Sequence, residues 1–356
     1  MQSLKQKLDN LSGKIEKNEK LKKFKPISSA LDKIFFGTSE ITSVIPHVSD
    51  NIDLKRLMLF VIYALLPAVI ASIYLWGLRV LVIIIISYLS GAIVEVSFAI
   101  IRKKEIHEGF FVTGLIFPLI LPPTVPLWIV AAGVIFGVLF GKEVFGGTGR
   151  NIFNPAIAGR IFLSISFPEI MTVNWQIPKT SGLGGFVSYQ NGIDAITKAT
   201  PLVIFKNQKI LTPITDLLFG SGAGCIGETF RIGLIAGGLF LIYTKIADWR
   251  IPLSYLSSVI IFSFLGNTFF PGNFVPPLFQ LFSGGLLLGD FFMATDPVTS
   301  PFTKPGRWIG GILLGFLTVI IRGLSGYVEG VMFSILLVNA FTPLIDSIVL
   351  KIRYKA

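Results

Sequence analysis

Charged residues are scarce in this sequence: only 14% of its 356 residues are Asp, Glu, Lys or Arg, whereas 52% are hydrophobic. Soluble domains usually carry about 25% charged residues. A chain with so little polar surface has lipid as much of its solvent, and its mean hydropathy of +0.74 agrees with that. The composition excludes an ordinary soluble domain and predicts an integral membrane protein.

Cysteine and histidine are also nearly missing. The single cysteine, Cys225, excludes an internal disulfide, and His47 and His107 are too few for a zinc or iron–sulfur cluster. We expect no cleavable signal peptide, because the first 50 residues are polar and rich in lysine. The net charge of +11 comes from cations at particular connections, so we interpret it as a topology signal and expect no nucleic-acid partner.

Long apolar runs fill the rest of the chain and predict an all-α polytopic membrane protein with about ten transmembrane helices. The predicted spans are residues 57–76, 79–101, 110–121, 127–141, 152–168, 230–246, 251–269, 277–294, 307–322 and 328–350. The third is short and ends at Pro122-Pro123, which predicts a half-length or re-entrant helix.

The distribution of lysine and arginine predicts the topology. With a cytoplasmic N-terminus, the connections after spans two, four, six and eight share that side with the C-terminus, and all of them carry lysine or arginine. The opposite connections 122–126 and 270–276 carry none, whereas Arg79 and Arg322 are exceptions at span edges. Five crossings precede residues 169–229, which are therefore predicted to lie outside the cytoplasm.

This topology divides the chain into five parts. They are a cytoplasmic polar segment (1–56), a first five-span half (57–168), an extracytoplasmic loop (169–229), a second five-span half (230–350) and a cytoplasmic C-terminus (351–356). Two halves with an odd number of spans are inverted relative to each other, a frequent arrangement in transport proteins. Leucines at helical spacing over residues 3–23 are compatible with an amphipathic helix on the lipid surface or with a solvated tail.

The connection after span four is rich in glycine. Gly146 and Gly147 allow the backbone to approach a flat ligand closely, and the neighbouring Phe145 can stack on a ring. The other interpretation is a tight turn between two helices, the second of which starts at Asn154-Pro155.

Acids inside apolar spans are costly in lipid and are functional candidates by default. They are Glu95, Glu143, Asp290, Asp296, Glu329 and Asp346. Passage of ions and purely structural ion pairs both explain such residues. Asp296 also precedes Pro297 and fits a helix N-cap, an explanation that suits Asp290 poorly.

Several motifs, in order, resemble one family of membrane proteins. It comprises the B-type subunit (NqrB) of the sodium-translocating NADH:quinone reductases (Nqr) and its relative, the D-type subunit (RnfD) of the Rnf complex. The motifs are found in residues 47–56, 142–151, 154–156, 227–229, 293–298 and 329–346. The resemblance extends from about Pro46 to Asp346, most of the chain.

The family binds FMN through its phosphate to a threonine hydroxyl. A flavin transferase outside the cytoplasm reads the pattern Asp-x-x-Ser/Thr-x-Ala-Thr. Read without the family, residues 194–200 are a polar turn with no neighbouring base. The resemblance implies that Thr200 carries the phosphoester and that Asp194, Thr197 and Ala199 complete the motif.

The resemblance also implies the activity. Electrons pass from FMN on a partner subunit through the FMN on Thr200 and a bound riboflavin to quinone, near Phe145, Gly146 and Gly147. Sodium is exported through membrane acids, with Glu143 and Asp346 as first candidates and Asp296 next. The flavins perform the redox chemistry, so no catalytic side chain is expected. Such a subunit works in the bacterial inner membrane with other membrane and peripheral subunits.

Two alternatives remain. The long polar N-terminus and residues 142–147 favour NqrB, which we prefer, whereas residues 323–327 and the chain length lean toward RnfD of a ferredoxin:NAD⁺ oxidoreductase ion pump. A flavin-free channel or carrier is the alternative from another class.

Overall fold

The computed structural model describes residues 54–103, 109–172, 175, 178, 184–187, 199–220 and 222–354, and every regular element in these ranges is helical. The predicted amphipathic segment 3–23 lies outside the described residues, as do Asp194 and Thr197. The all-helical prediction is confirmed for the described part of the chain.

The first half begins with two long helices. Its elements are α1 (Leu54–Trp76), α2 (Arg79–Arg102), α3 (Gly109–Leu119), α4 (Leu127–Val138) and α5 (Pro155–Ser166). A π-helical turn, Leu139–Glu143, extends α4 directly. Ile85, Leu89 and Ile93 lie four residues apart on α2 and are exposed, so this face is available to lipid.

Short elements connect the halves: α6 (Pro168–Thr172), a 3₁₀ turn (Gly184–Val187), α7 (Pro201–Gln208) and α8 (Ile214–Phe219). The second half contains α9 (Arg231–Tyr243), α10 (Arg250–Phe269), α11 (Pro277–Phe282), α12 (Leu286–Leu288), α13 (Lys304–Leu324) and α14 (Val331–Arg353). A second π-helical turn, Gly289–Met293, follows α12.

Each of the ten predicted spans contains helix, but the helices differ in length. Within the described ranges, five are long and apolar enough to cross a membrane: α1 from Leu57, α2, α10, α13 and α14. The apolar helices α3, α5 and α9 have 11, 12 and 13 residues. At 1.5 Å per residue such helices reach only about 20 Å, less than the roughly 30 Å of a bilayer core. The count of ten crossings therefore stays a prediction.

Helices α10 and α13 lie side by side and run in the same direction. A Cβ on Gly311 would lie 3.0 Å from the Ile251 carbonyl, and one on Gly315 would lie 2.9 Å from the Val259 backbone nitrogen. The contacting residues therefore increase in residue number in the same direction on both helices, which shows that the helices are parallel. Asp248 joins their N-terminal ends through ion pairs with Arg250 and Arg307.

Contacts between loops define the two ends of the bundle. The Arg250 end comprises the N-terminal ends of α10 and α13 with residues 143–155 and 294–303, which an Asn154–Asp296 hydrogen bond connects. The Thr200 end comprises the C-terminal ends of α10 and α13 with α7, where Lys206 donates to the Ser325 carbonyl. The 21 residues of α13 put about 30 Å between the two ends.

The predicted span 277–294 is not one helix, contrary to expectation. The chain breaks at Ser283-Gly284-Gly285, where Gly284 has a φ of 62°. The guanidinium of Arg322 donates to the carbonyls of Gln280 and Ser283, at 3.2 Å each, and so satisfies groups that lose helical partners at the break. Arg322, which was predicted to lie at a span edge, is buried where it makes these hydrogen bonds.

Candidate functional site

A cleft lined by both apolar and polar side chains opens at the Arg250 end. It lies between the first turns of α1 and α3, the end of α9, and the residues after both π-helical turns, and it encloses about 60 Å³. Its polar lining consists of Thr113, Lys142, Thr148, Asn151, Asn154, Thr295 and Asp296. This space suits a few water molecules or a small ion.

The π-helical turn of α4 directs two consecutive charged side chains to different partners. Lys142 forms a buried ion pair with Glu95 of α2. Glu143 accepts a hydrogen bond from Arg102 at 2.8 Å, and the same guanidinium also bonds the Glu143 carbonyl. Three of these four charges are buried, so pairing is required to offset their desolvation.

The glycine-rich connection is a compact turn. Gly146 and Gly147 have φ values of 116° and 95°, which side chains rarely adopt, and their amides bond to the carbonyls of Glu143 and Lys142. Phe145 is exposed and meets Phe153 edge-on, with ring centroids 6.3 Å apart. The turn interpretation is confirmed, and an exposed aromatic ring remains available on its surface.

Asn154 connects this turn to the second glycine- and proline-rich connection. Its Oδ1 caps α5 by accepting from the Ala156 amide at 3.0 Å, as predicted for Asn-Pro. Its Nδ2 donates to Asp296 Oδ2 at 3.4 Å. The two cleft walls are thereby joined by a single side chain.

The N-cap interpretation of Asp296 is wrong. Its Oδ1 accepts from the Val298 amide at 3.1 Å and its Oδ2 from the Thr299 hydroxyl at 3.2 Å, within a turn that does not continue as a helix. The next helix starts at Lys304, and Thr303 caps it. Asp296 instead holds a polar turn at the cleft.

Asp346 on α14 supports the residues that precede α13. Its two oxygens accept from the amides of Phe302 and Thr303, at 3.0 and 3.1 Å, and from the Thr303 hydroxyl. Backbone donors thus take the place of the basic partner that the sequence lacks nearby. The two remaining sodium candidates, Glu143 and Asp296, lie at the same end of the bundle.

Thr200 lies at the opposite end. It is the N-cap of α7, half-buried, and its Oγ1 accepts from the Val203 amide at 3.4 Å, while Ala199 is exposed. Leu202 and Phe205 anchor the helix in a small apolar cluster that includes Val275, Phe279 and Val328. The helix therefore presents Thr200 at the surface.

A lysine on the same helix is perturbed by its surroundings. Burial lowers the pKa of Lys206, and the charge of Lys209 lowers it further. Lys206 donates to the Ser325 carbonyl and Lys209 to the Gly272 carbonyl. These bonds tie α7 to the ends of α10 and α13.

A group of four charges near the Thr200 end, of which Glu228, Arg231 and Arg322 are buried and Glu329 is half-buried, was not recognised from the sequence as a unit. Arg322 bonds Glu329 at 3.0 Å, Arg231 bonds the Leu217 carbonyl, and Glu228 accepts from the Cys225 amide at 2.8 Å. The only sequence signal was the presence of acids and arginines at span edges. Among the described residues, no group of three or more His, Cys, Asp or Glu could hold a metal ion.

Comparison with known sequences identifies the family. The profile of the NQR2, RnfD, RnfE family matches residues 41–355. A protein of Ectopseudomonas mendocina (strain ymp), named as the B-type subunit of Na(+)-translocating NADH-quinone reductase, is 34% identical over 98% of this chain and 97% of its own length. Proteins of the same name from Yersinia pestis and Klebsiella pneumoniae (strain 342) are 34% and 32% identical, each over 99% of this chain and 98% of their own length. The chain therefore belongs to the NQR2, RnfD, RnfE family.

Proposed function

We propose that this chain is the NqrB membrane subunit of a sodium-translocating NADH:quinone reductase. The observation that carries the proposal is the match over nearly the whole length of relatives with that name. A multi-subunit, redox-driven translocase follows from the same names, as does a location in the bacterial inner membrane among its sister subunits.

Thr200 is the residue we assign to covalent FMN, joined through a phosphoester. Its hydroxyl oxygen lies at the N-terminus of α7, where backbone N–H groups and the helix dipole favour a phosphate. The adjacent Ala199 is exposed, which suits access by a flavin transferase that also reads Asp194 and Thr197. Bound FMN supplies electron transfer in one- or two-electron steps.

The Arg250 end has the features that a quinone head group requires nearby. Phe145 offers an exposed ring, and Gly146 and Gly147 form the tight turn that follows it. We assign quinone binding to this surface and assign no residues to riboflavin. Thr200 and this surface are separated by the length of α13, so in this proposal the chain spans the distance between two redox sites.

Sodium is the transported substrate in this proposal, and Asp296, Glu143 and Asp346 belong to its pathway. Asp296 lines the cleft and has oxygens turned toward small polar groups. Glu143 and Asp346 have partners in Arg102 and in backbone amides. We therefore assign direct ion contact to Asp296 and positioning of the cleft walls to the other two.

The test for the flavin is the mass of the purified subunit, produced together with a flavin transferase. We expect an increase of one covalently bound FMN and ultraviolet fluorescence of the denatured chain, both lost in Thr200→Ala. Thr212→Ala is the matched control, because Thr212-Pro213 also precedes a short helix of the same connection but lacks the flavin-attachment pattern. An unmodified wild-type chain would refute the assignment and favour a flavin-free carrier.

The branch is tested on the purified complex. Sodium-stimulated NADH:quinone reductase activity is expected for Nqr. Ferredoxin:NAD⁺ activity in its place would identify the chain as the RnfD that residues 323–327 resemble.

A further inference from the structure

Asp290 is an acid completely enclosed by the protein. It belongs to the π-helical turn Gly289–Met293 and has no exposed surface. Neither carboxylate oxygen has a hydrogen-bond partner within the described part of the chain. An ionised carboxylate without a partner is strongly disfavoured in such surroundings, and π-helical turns are frequent at functional sites.

A row of hydroxyl groups runs between α10 and α14, which both contact this π-helical turn. The Tyr255 phenol lies within electrostatic reach of Asp290, and its oxygen is 2.7 Å from Thr318 Oγ1. Thr318 in turn donates to Ser334 Oγ at 3.1 Å, and Ser334 donates to the Gly330 carbonyl at 2.8 Å. Tyr255, Thr318 and Ser334 are all fully buried.

Contacts along α14 give the depth of Asp290 in the bundle. The Gly285 amide donates to Glu329, next to the Thr200 end, and a Cβ on Gly289 would lie 3.2 Å from Ile335. Asn339 follows Ile335 by one turn on the same face, and its buried Nδ2 lacks a partner among the described residues. Asp290 therefore lies between the Glu329 region and the cleft at the Arg250 end.

We propose that Asp290, with the hydroxyl oxygens of Tyr255 and Thr318, binds a sodium ion in the interior of the second half. Carboxylate and hydroxyl oxygens are ligands of hard cations, and a bound cation supplies the charge that Asp290 has no other partner for. The row of hydroxyls continues from this site toward Glu329 and the Thr200 end. This inference deepens the proposed function and takes the identity of the ion from it.

The test is labelling of Asp290 by a hydrophobic carbodiimide, which reacts with buried carboxyl groups, in the purified complex. Labelling is read by mass spectrometry of the peptide, in sodium chloride and in choline chloride of equal ionic strength. We expect sodium well above its Kd to reduce labelling about tenfold or more, because mass action leaves few sites free. Equal labelling in both salts would overturn the proposal and indicate a permanently protonated carboxyl.

A second measurement keeps Asp290 intact. Thr318→Val preserves the side-chain shape but removes one oxygen ligand, and we expect about a tenfold weaker affinity for ²²Na⁺, a typical effect of one lost contact to a charged group. Thr342→Val on α14 is the matched control, because its buried hydroxyl bonds only the Val338 carbonyl among the described residues. An unchanged affinity in Thr318→Val would contradict the site.

Failure of the site and failure of the proposed function give different results. If sodium protects Asp290 from labelling but the complex has no sodium-stimulated NADH:quinone activity, the proposed function is refuted and the site is supported. Sodium-stimulated activity without protection, and with normal affinity in Thr318→Val, would refute the site alone.

Discussion

At the residue scale, the buried Lys142–Glu95 ion pair is stable only when both charges are present. The two side chains come from the π-helical turn after α4 and from α2, and they are 4% exposed each. Removing one partner leaves an uncompensated charge inside the bundle, whereas replacing both by apolar residues removes the charge altogether.

We therefore predict that Lys142→Met destabilises the protein by about 3–5 kcal/mol. The measurement is thermal unfolding of the purified subunit in detergent. The double variant Lys142→Met, Glu95→Leu is expected to recover most of the loss. If Lys142→Met were as stable as the wild type, Glu95 would not require an ion-pair partner, and the prediction would be wrong.

Asp248 gives a prediction that depends on pH. Burial by itself raises the pKa of Asp248, but the Arg250 amide and the guanidinium groups of Arg307 and Arg250 outweigh it, so that the pKa is lowered. A carboxyl with a lowered folded pKa stabilises the folded state above its ordinary pKa and loses this contribution as pH falls through the folded value.

We predict that Asp248→Asn lowers the unfolding temperature at neutral pH and that this difference shrinks on acidification below the usual range for aspartate. Asp216→Asn in α8 is the control, because it removes a carboxylate outside this junction. A wild-type advantage that stays constant down to strongly acidic pH would contradict the assigned role.

At the scale of elements, the close parallel contact of α10 and α13 depends on small residues. A Cβ on Gly315 would lie 2.9 Å from the Val259 backbone nitrogen and 3.0 Å from the Tyr255 carbonyl oxygen. Small residues of this kind allow backbones to approach closely in membranes, where apolar burial alone gives little association.

We predict that Gly315→Leu lowers stability by about 1–3 kcal/mol, the usual cost of overpacking. Gly326→Leu is the matched control, because a Cβ there meets no atom within 4 Å. Thermal unfolding of both variants checks this, and equal values for the two would mean that the helices can move apart at little cost.

The two π-helical turns lie in segments that have the same order of local structures. Each ends a helix that runs toward the Arg250 end, and each is followed by a polar turn and by a capped helix with proline in its first turn, at Asn154-Pro155 and at Thr303-Lys304-Pro305. The Asn154–Asp296 bond brings the two turns together. These two elements run in the same direction, so they do not correspond to each other through the predicted inversion, which remains a prediction.

At the scale of the whole molecule, the proposed sidedness has a direct test. Ala199 and Ile352 are both exposed, and they lie at opposite ends of the bundle, at the Thr200 end and at the end of α14 beyond Asp346. The only native cysteine, Cys225, is buried.

In a Cys225→Ala background, we predict that Ala199→Cys reacts with an impermeant thiol reagent in intact cells, whereas Ile352→Cys reacts only after the membrane is opened. The reason is the positive charge near the C-terminus, which retains that end in the cytoplasm. If only Ile352→Cys were labelled in intact cells, the orientation of the chain would be opposite to the predicted one.

Local patterns in the sequence determined the helical class, the approximate bounds of the apolar segments, the short third helix, the glycine turn and the cap at Asn154. Each of these depends on hydropathy, proline, glycine or an N-cap within a few neighbouring residues. The alternation of helix directions is a prediction from the positions of the cations, whereas the family followed from motifs along most of the chain.

Only the tertiary structure decided which charges meet. Lys142 pairs with an acid 47 positions away, Arg322 turns inward to the broken helix 277–293, and Asp290 is left without a partner in the described part of the chain. These outcomes depend on which helix faces pack against each other. That packing is determined by many contacts between residues that are far apart in the sequence. The free energy of a buried charge is determined by its neighbours in space, so neighbours in sequence could not predict it.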